Sequence, residues 1–63
     1  MDFGKNLKRI RLENNLTQLD VANKINVSLK TISHWESGYT EPSLQMVEKI
    51  KEVLKVSYDE LFE

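Results

Sequence analysis

Apolar residues recur along the chain at three- and four-residue spacing, the period of amphipathic helices. Phe3, Leu7 and Ile10 predict a first helix from Phe3 to Glu13. Asn14 and Asn15 end it, because asparagine tolerates the left-handed backbone that helix ends often need. Thr17 caps a second helix, with Asp20 three residues on as a short-armed capping-box partner and Val21, Ala22 and Ile25 as its inner stripe. The break from Ile25 to Val27 is short, so the next helix must cross the second steeply. Ser28 caps that third helix, which runs from Leu29 to Ser37 and stops at Gly38. The turn-rich stretch Gly38-Tyr39-Thr40-Glu41-Pro42 comes next. Ser43 caps a fourth helix with the stripe Leu44, Val47, Ile50 and Leu54. Ser57 and Glu60 form a capping box for a short fifth helix carrying Leu61. The pattern therefore predicts five helices, no strand, no repeat and no linker.

The third helix holds an oddity. At 100° per residue, Ile32 and Trp35 share one face, and Glu36 falls on it too. On the first helix Arg11 lies at the edge of the stripe made by Leu7 and Ile10. Two opposite charges thus approach one small core. The economical arrangement is a bidentate Arg11–Glu36 ion pair; the alternative is that each side chain reaches water separately. Lys30, Ser33 and His34 face outward, and Leu29 and Lys30 occupy the first turn. A polar helix held out by a tight turn suits the major groove of DNA, with helix N-termini and caps available to phosphates. A solvated face that binds nothing has the same pattern.

Composition narrows the field. The chain has 63 residues, enough for one small domain spanning 1–63. It has no cysteine, which excludes disulfides, thiolate metal sites and thiol nucleophiles. His34 is the only histidine, and no carboxylate cluster accompanies it at ligand spacing, so neither metal nor cofactor is expected. Ser33 and His34 are neighbours on a helix and diverge, and no acid or phosphate loop joins them, so no enzyme is expected. No apolar run approaches a membrane span and no signal peptide opens the chain, so a soluble cytoplasmic protein is expected. The net charge is −1, unevenly spread. Residues 1–40 carry six basic and four acidic side chains, and residues 41–63 carry three basic and six acidic ones. One end is mildly basic and the other acidic.

The chain resembles the helix-turn-helix family of phage repressors and Cro proteins, the XRE family. The likeness runs through FGKNLKRIRLENNLTQ, with Phe3, Gly4, Leu7, Ile10, Arg11 and Leu16-Thr17-Gln18 in register. It continues through DVANKINVSLKTISHWESG, EPSLQMVEKI and VSYDELF. It implies an all-α, compact five-helix repressor-like DNA-binding domain whose helix-turn-helix is formed by the second and third helices. By the same resemblance, Gln18, beside the cap Thr17, touches backbone phosphate and braces the recognition helix. Leu29, Lys30, Ser33 and His34 match positions that face bases. Ser28, Thr31, Ser37, Tyr39 and Thr40 match positions near phosphates, and Arg11 and Glu36 match an internal ion pair. Leu61 and Phe62 are closers of the core by pattern, and also lie where family members dimerise.

Departures from the family pattern are specific. Asn15 and Asn26 stand where glycine is common, Leu29 replaces a polar first reader, and the loop at Tyr39-Thr40-Glu41 lacks the usual lysine or arginine. Leu29 either meets a thymine methyl group or packs inward. The function implied is a sequence-specific transcriptional regulator of double-stranded DNA, a repressor acting as a homodimer on an inverted repeat, with no small-molecule ligand. The alternative is a protein-interaction module, antitoxin-like or antirepressor-binding, on the same fold.

Overall fold

A computed structural model describes residues 3–63. Its elements are α1 (Phe3–Glu13), α2 (Gln18–Ile25), α3 (Leu29–Ser37), α4 (Leu44–Leu54) and α5 (Tyr58–Phe62), with no strand among the described residues. The five helices fall where the apolar periodicity predicts them. The break between α2 and α3 is shifted by one residue, to Asn26–Ser28, because Ile25 is still helical and fully buried.

Local chemistry sets each boundary. Thr17, Ser28, Ser43 and Ser57 sit in extended backbone and accept the N–H of the third residue beyond, satisfying a donor that the first turn would otherwise strand. Thr17–Asp20 and Ser57–Glu60 close as full capping boxes. The helix ends rely on left-handed residues. Asn15, Asn26 and Gly38 take φ of 58°, 63° and 82°, so asparagine adopts the conformation expected of it at both glycine-like positions. Lys55 does the same at the end of α4, with φ 57°, and nothing in its side chain announces this.

The core comprises Phe3, Leu7, Ile10, Val21, Ala22, Ile25, Ile32, Trp35, Val47, Ile50 and Leu61. Burying each large aliphatic side chain contributes about 1.5–3 kcal/mol relative to exposure. One sequence expectation changes here. Leu44, which the spacing places in the α4 stripe, is 77% exposed, because it stands in the first turn above the layer formed by Val47 and Ile50. Leu61, a closer of the core by its pattern, has no exposed surface, as that reading expects. It is a core residue, and the Asn6 side chain donates to its carbonyl at 2.9 Å, tying α5 to α1.

The α1–α3 contact sets the position of α3. A Cβ on Gly4 would collide with the Trp35 carbonyl oxygen and lie 2.7 Å from that of Glu36, so only glycine lets the two backbones approach this closely. Phe3 meets the edge of Trp35 with ring centroids 6.2 Å apart. Together these fix the height at which α3 leaves the core.

Candidate nucleic-acid interface

The turn Asn26–Ser28 sends α3 away from α2, and Val27 half-buries against the core to hold the angle. Ile32 and Trp35 anchor the inner face of α3 at 0% and 5% exposure. Lys30, Ser33 and Ser37 are exposed on the opposite side, His34 and Thr31 are half-buried, and Leu29 is 46% exposed. Leu29 therefore does not pack inward. Residues 30, 33, 34 and 37 fall within about 100° of the helix circumference and make one continuous strip.

Glu36 completes the inner face. Its side chain is 5% exposed and that of Arg11 9%. Arg11 Nε donates to Glu36 Oε2 at 2.7 Å and Nη2 donates to Oε1 at 3.0 Å, the bidentate geometry. Arg11 Nη1 donates to the Leu16 carbonyl at 3.0 Å. Gln18 Nε2 donates to Glu36 Oε1 at 3.1 Å. The pair is thus a four-residue network joining α1, the α1–α2 loop, the first turn of α2 and α3. Glu36, chiefly through the hydrogen bonds it accepts, holds the Arg11 guanidinium above its ordinary pKa, although burial acts the other way. Among the described residues no buried side-chain nitrogen or oxygen lacks a partner. The charge on the inner face is therefore fully answered.

The periphery is ordered by short contacts. The Ser28 and Thr31 hydroxyls are 2.9 Å apart, and Thr31 N–H donates to Ser28 Oγ at 3.1 Å. Ser37 Oγ donates to the His34 carbonyl at 3.1 Å. Gly38 then reverses the chain, and the Tyr39 N–H also donates to the His34 carbonyl, at 2.9 Å. The turn lays the Tyr39 ring against the His34 ring, with centroids 4.8 Å apart and planes at 61°. Tyr39 remains 76% exposed, and Thr40 is exposed beside it. At the start of α2 the Thr17 N–H first, and then its hydroxyl, hold the Asp20 carboxyl below the usual carboxylate range.

The geometry thus gathers Leu29, Lys30, Ser33, His34 and Ser37 along α3, with Tyr39 against His34, and joins Gln18 to α3 through Glu36. It leaves Leu61 inside the core. Phe62 is half-buried, stacked on Tyr58 at 4.5 Å and tilted against Phe3 at 5.3 Å. Three features escape the pattern of the sequence: the Gln18–Glu36 bond, the Leu16 carbonyl as third acceptor, and the Tyr39–His34 contact. Only the first leaves a signal. A buried carboxylate has lone pairs to spare after a bidentate arginine, and Gln18 stands two residues past Leu16, whose carbonyl Arg11 reaches.

Among the described residues no group of three histidine or carboxylate side chains is placed to hold a metal, and no helix is long and apolar enough to cross a membrane. A helix-turn-helix family model, HTH_3, matches residues 7–61. The HTH-type transcriptional activator BcrR of Enterococcus faecalis is 38% identical over 61 residues, covering 97% of this chain and 30% of that protein. The antitoxin PezA of Streptococcus pneumoniae is 34% identical over 56 residues, covering 89% of this chain and 35% of that one. A crystal structure of a transcriptional regulator from Listeria innocua superposes with a TM-score of 0.84 at 30% identity, over 94% of this chain and 55% of that chain. The chain spans about a third of the length of these two curated relatives.

Proposed function

The chain belongs to the HTH_3 helix-turn-helix family of DNA-binding transcriptional regulators, and on that premise we propose that it is a sequence-specific repressor, acting as a homodimer on an inverted repeat. The observation that carries this reading is the seating of α3. Its inner face is locked by the Arg11–Glu36–Gln18 network, while Leu29, Lys30 and Ser33 stand exposed on the other side. A helix that must read base edges needs a fixed backbone and free side chains, and α3 has both.

In this reading Lys30 donates to guanine O6 or N7, Ser33 and His34 exchange hydrogen bonds with base edges, and Leu29 meets a thymine methyl group. Thr17, Gln18, Ser28, Thr31, Ser37 and Thr40 lie near phosphates and set register without reading sequence, and Tyr39 stands among them with its ring against His34. Lys30 is the one cation of α3, and the loop after it has none, so binding carries a modest salt slope and needs two subunits for useful affinity. Phe62 supplies the dimer contact, with the half-exposed Tyr58 stacked on it, and Leu61 supports that surface from beneath. Repression by occlusion asks nothing further of the chain than bound DNA. We place the protein in the cytoplasm and read this domain as a binding module rather than a catalyst.

The test is selection of binding sites from a random duplex pool by the purified chain at low and moderate salt. Enrichment of an inverted repeat with half-sites about one helical turn apart is the expected result. Enrichment of nothing at either salt overturns it and favours the second reading, an antitoxin-like module whose ligand is a protein, which the similarity to PezA supports.

A further inference from the structure

Tyr39 occupies an unusual place. The residue is 76% exposed, yet it is held at both its backbone and its ring. The backbone N–H is committed to the His34 carbonyl at 2.9 Å, and the ring meets the His34 ring at 4.8 Å in an edge-on contact. Gly38 makes this possible, since its φ of 82° turns the chain back over the last turn of α3 within one residue. His34 is half-buried although it stands on the outer strip with Lys30 and Ser33. Its aromatic neighbour is Tyr39. A histidine on a helix surface has several staggered rotamers, and ordering one of them costs free energy when a ligand must do it. An edge-on aromatic wall removes part of that cost in advance.

We propose that Tyr39 is a specificity-determining positioning residue: its ring orients the His34 imidazole for base reading, rather than serving chiefly as a phosphate contact. This rests on the reading of α3 as the recognition helix. The two roles for Tyr39 differ in what they predict. A phosphate contact acts through the phenol hydroxyl and affects every site equally. An orienting wall acts through the ring, needs no hydroxyl, and affects only the base pair that His34 reads.

The experiment uses an operator enriched by the wild-type chain and its single-base-pair variants, with affinities measured for wild type, Tyr39→Ala, Tyr39→Phe, His34→Ala and the double variant His34→Ala/Tyr39→Ala. His34→Ala flattens preference at one base-pair position in each half-site. Tyr39→Ala flattens preference at that same position by about three- to tenfold, the range of an aromatic pair contact. Tyr39→Phe keeps the wild-type preference, and the double variant is no flatter than His34→Ala alone. A uniform loss across all sites in Tyr39→Ala, or equal defects in the Phe and Ala variants, overturns the orienting role in favour of the phosphate contact. If His34→Ala flattens a position that Tyr39→Ala leaves intact, the inference fails while the recognition helix stands. If no duplex is enriched, the functional reading itself has failed and the inference falls with it.

Discussion

Gln18 lies 3.1 Å from the Glu36 oxygen that also accepts from Arg11 Nη2 at 3.0 Å. One carboxylate oxygen therefore receives the start of α2 and the end of α1 at once, and α3 is fixed to both. The carboxylate sits at 5% exposure, where an unanswered charge is far costlier than at the surface.

Removing either charge is therefore expected to be severe. Arg11→Met or Glu36→Gln should each lower the free energy of unfolding by about 3–5 kcal/mol, because each leaves the partner buried without its counter-charge. The double variant should lose clearly less than the two singles combined, with a coupling of about 1–3 kcal/mol in urea unfolding. Strict additivity would mean that the two groups are stabilised independently of one another.

Gly4→Ala tests the close approach of α1 and α3. The added methyl meets backbone carbonyl oxygens of Trp35 and Glu36, which cannot rotate away as a side-chain end does. Overpacking of this kind costs about 1–3 kcal/mol. In a domain this small, that lowers Tm by roughly 5–20 °C. An unchanged Tm would show that the helices slide apart without loss.

Acid should weaken the cap of α2. Thr17 holds the Asp20 carboxyl below its ordinary range, so the folded pKa is lower than the unfolded one. The stabilisation is fully present above the ordinary aspartate value near pH 4 and fades as pH falls through the lower folded value. Urea midpoints measured from pH 7 down to about pH 3 should fall more steeply for the wild type than for Asp20→Asn. Parallel curves would show that the cap adds no acid sensitivity.

Leu44 and Ile50 share the α4 stripe in the sequence but not in the fold. Leu44→Ala should change stability by no more than about 0.5 kcal/mol, as at other exposed positions. Ile50→Ala, at 0% exposure, should cost about 2–5 kcal/mol. Comparable losses would return Leu44 to the core.

Reader and clamp separate by the pattern of loss. Lys30→Ala should change which operator variants are preferred, whereas Gln18→Ala should weaken all of them alike. Because Gln18 also bonds Glu36, its variant should in addition unfold at slightly lower denaturant concentration, by about 1 kcal/mol. Uniform weakening by both variants would remove Lys30 from base reading.

The sequence discloses each feature only as far as the physics of its signal reaches. Caps announce themselves locally, so Thr17, Ser28, Ser43 and Ser57 mark the helix starts in the bare sequence. Periodicity places Ile32 and Trp35 inside and Glu36 beside them, and the inward charge then calls for Arg11. Periodicity does not tell how far a helix projects past its neighbours, so it points Leu44 inward while the fold leaves that side chain in solvent. It also cannot separate a core closer from a surface anchor at the end of a chain, where Leu61 proves to be the former and Phe62 lies between. The His34–Tyr39 contact depends on the turn at Gly38 bringing residues five apart into ring contact, and turn geometry has no periodic trace.

The reach of Arg11 into α3 also bears on portability. The segment from Thr17 to Gly38 contains both helices of the motif and their caps, yet it is not a transplantable unit. Moved to another scaffold, it would carry a glutamate turned toward a core with no arginine to meet it. The outer strip is different. Leu29, Lys30 and Ser33 are exposed and stand outside the Arg11–Glu36–Gln18 network, so they can be rewritten without disturbing the frame, whereas His34 shares a ring contact with Tyr39. The outward strip is thus the replaceable layer of this molecule, and the frame beneath it must be inherited whole.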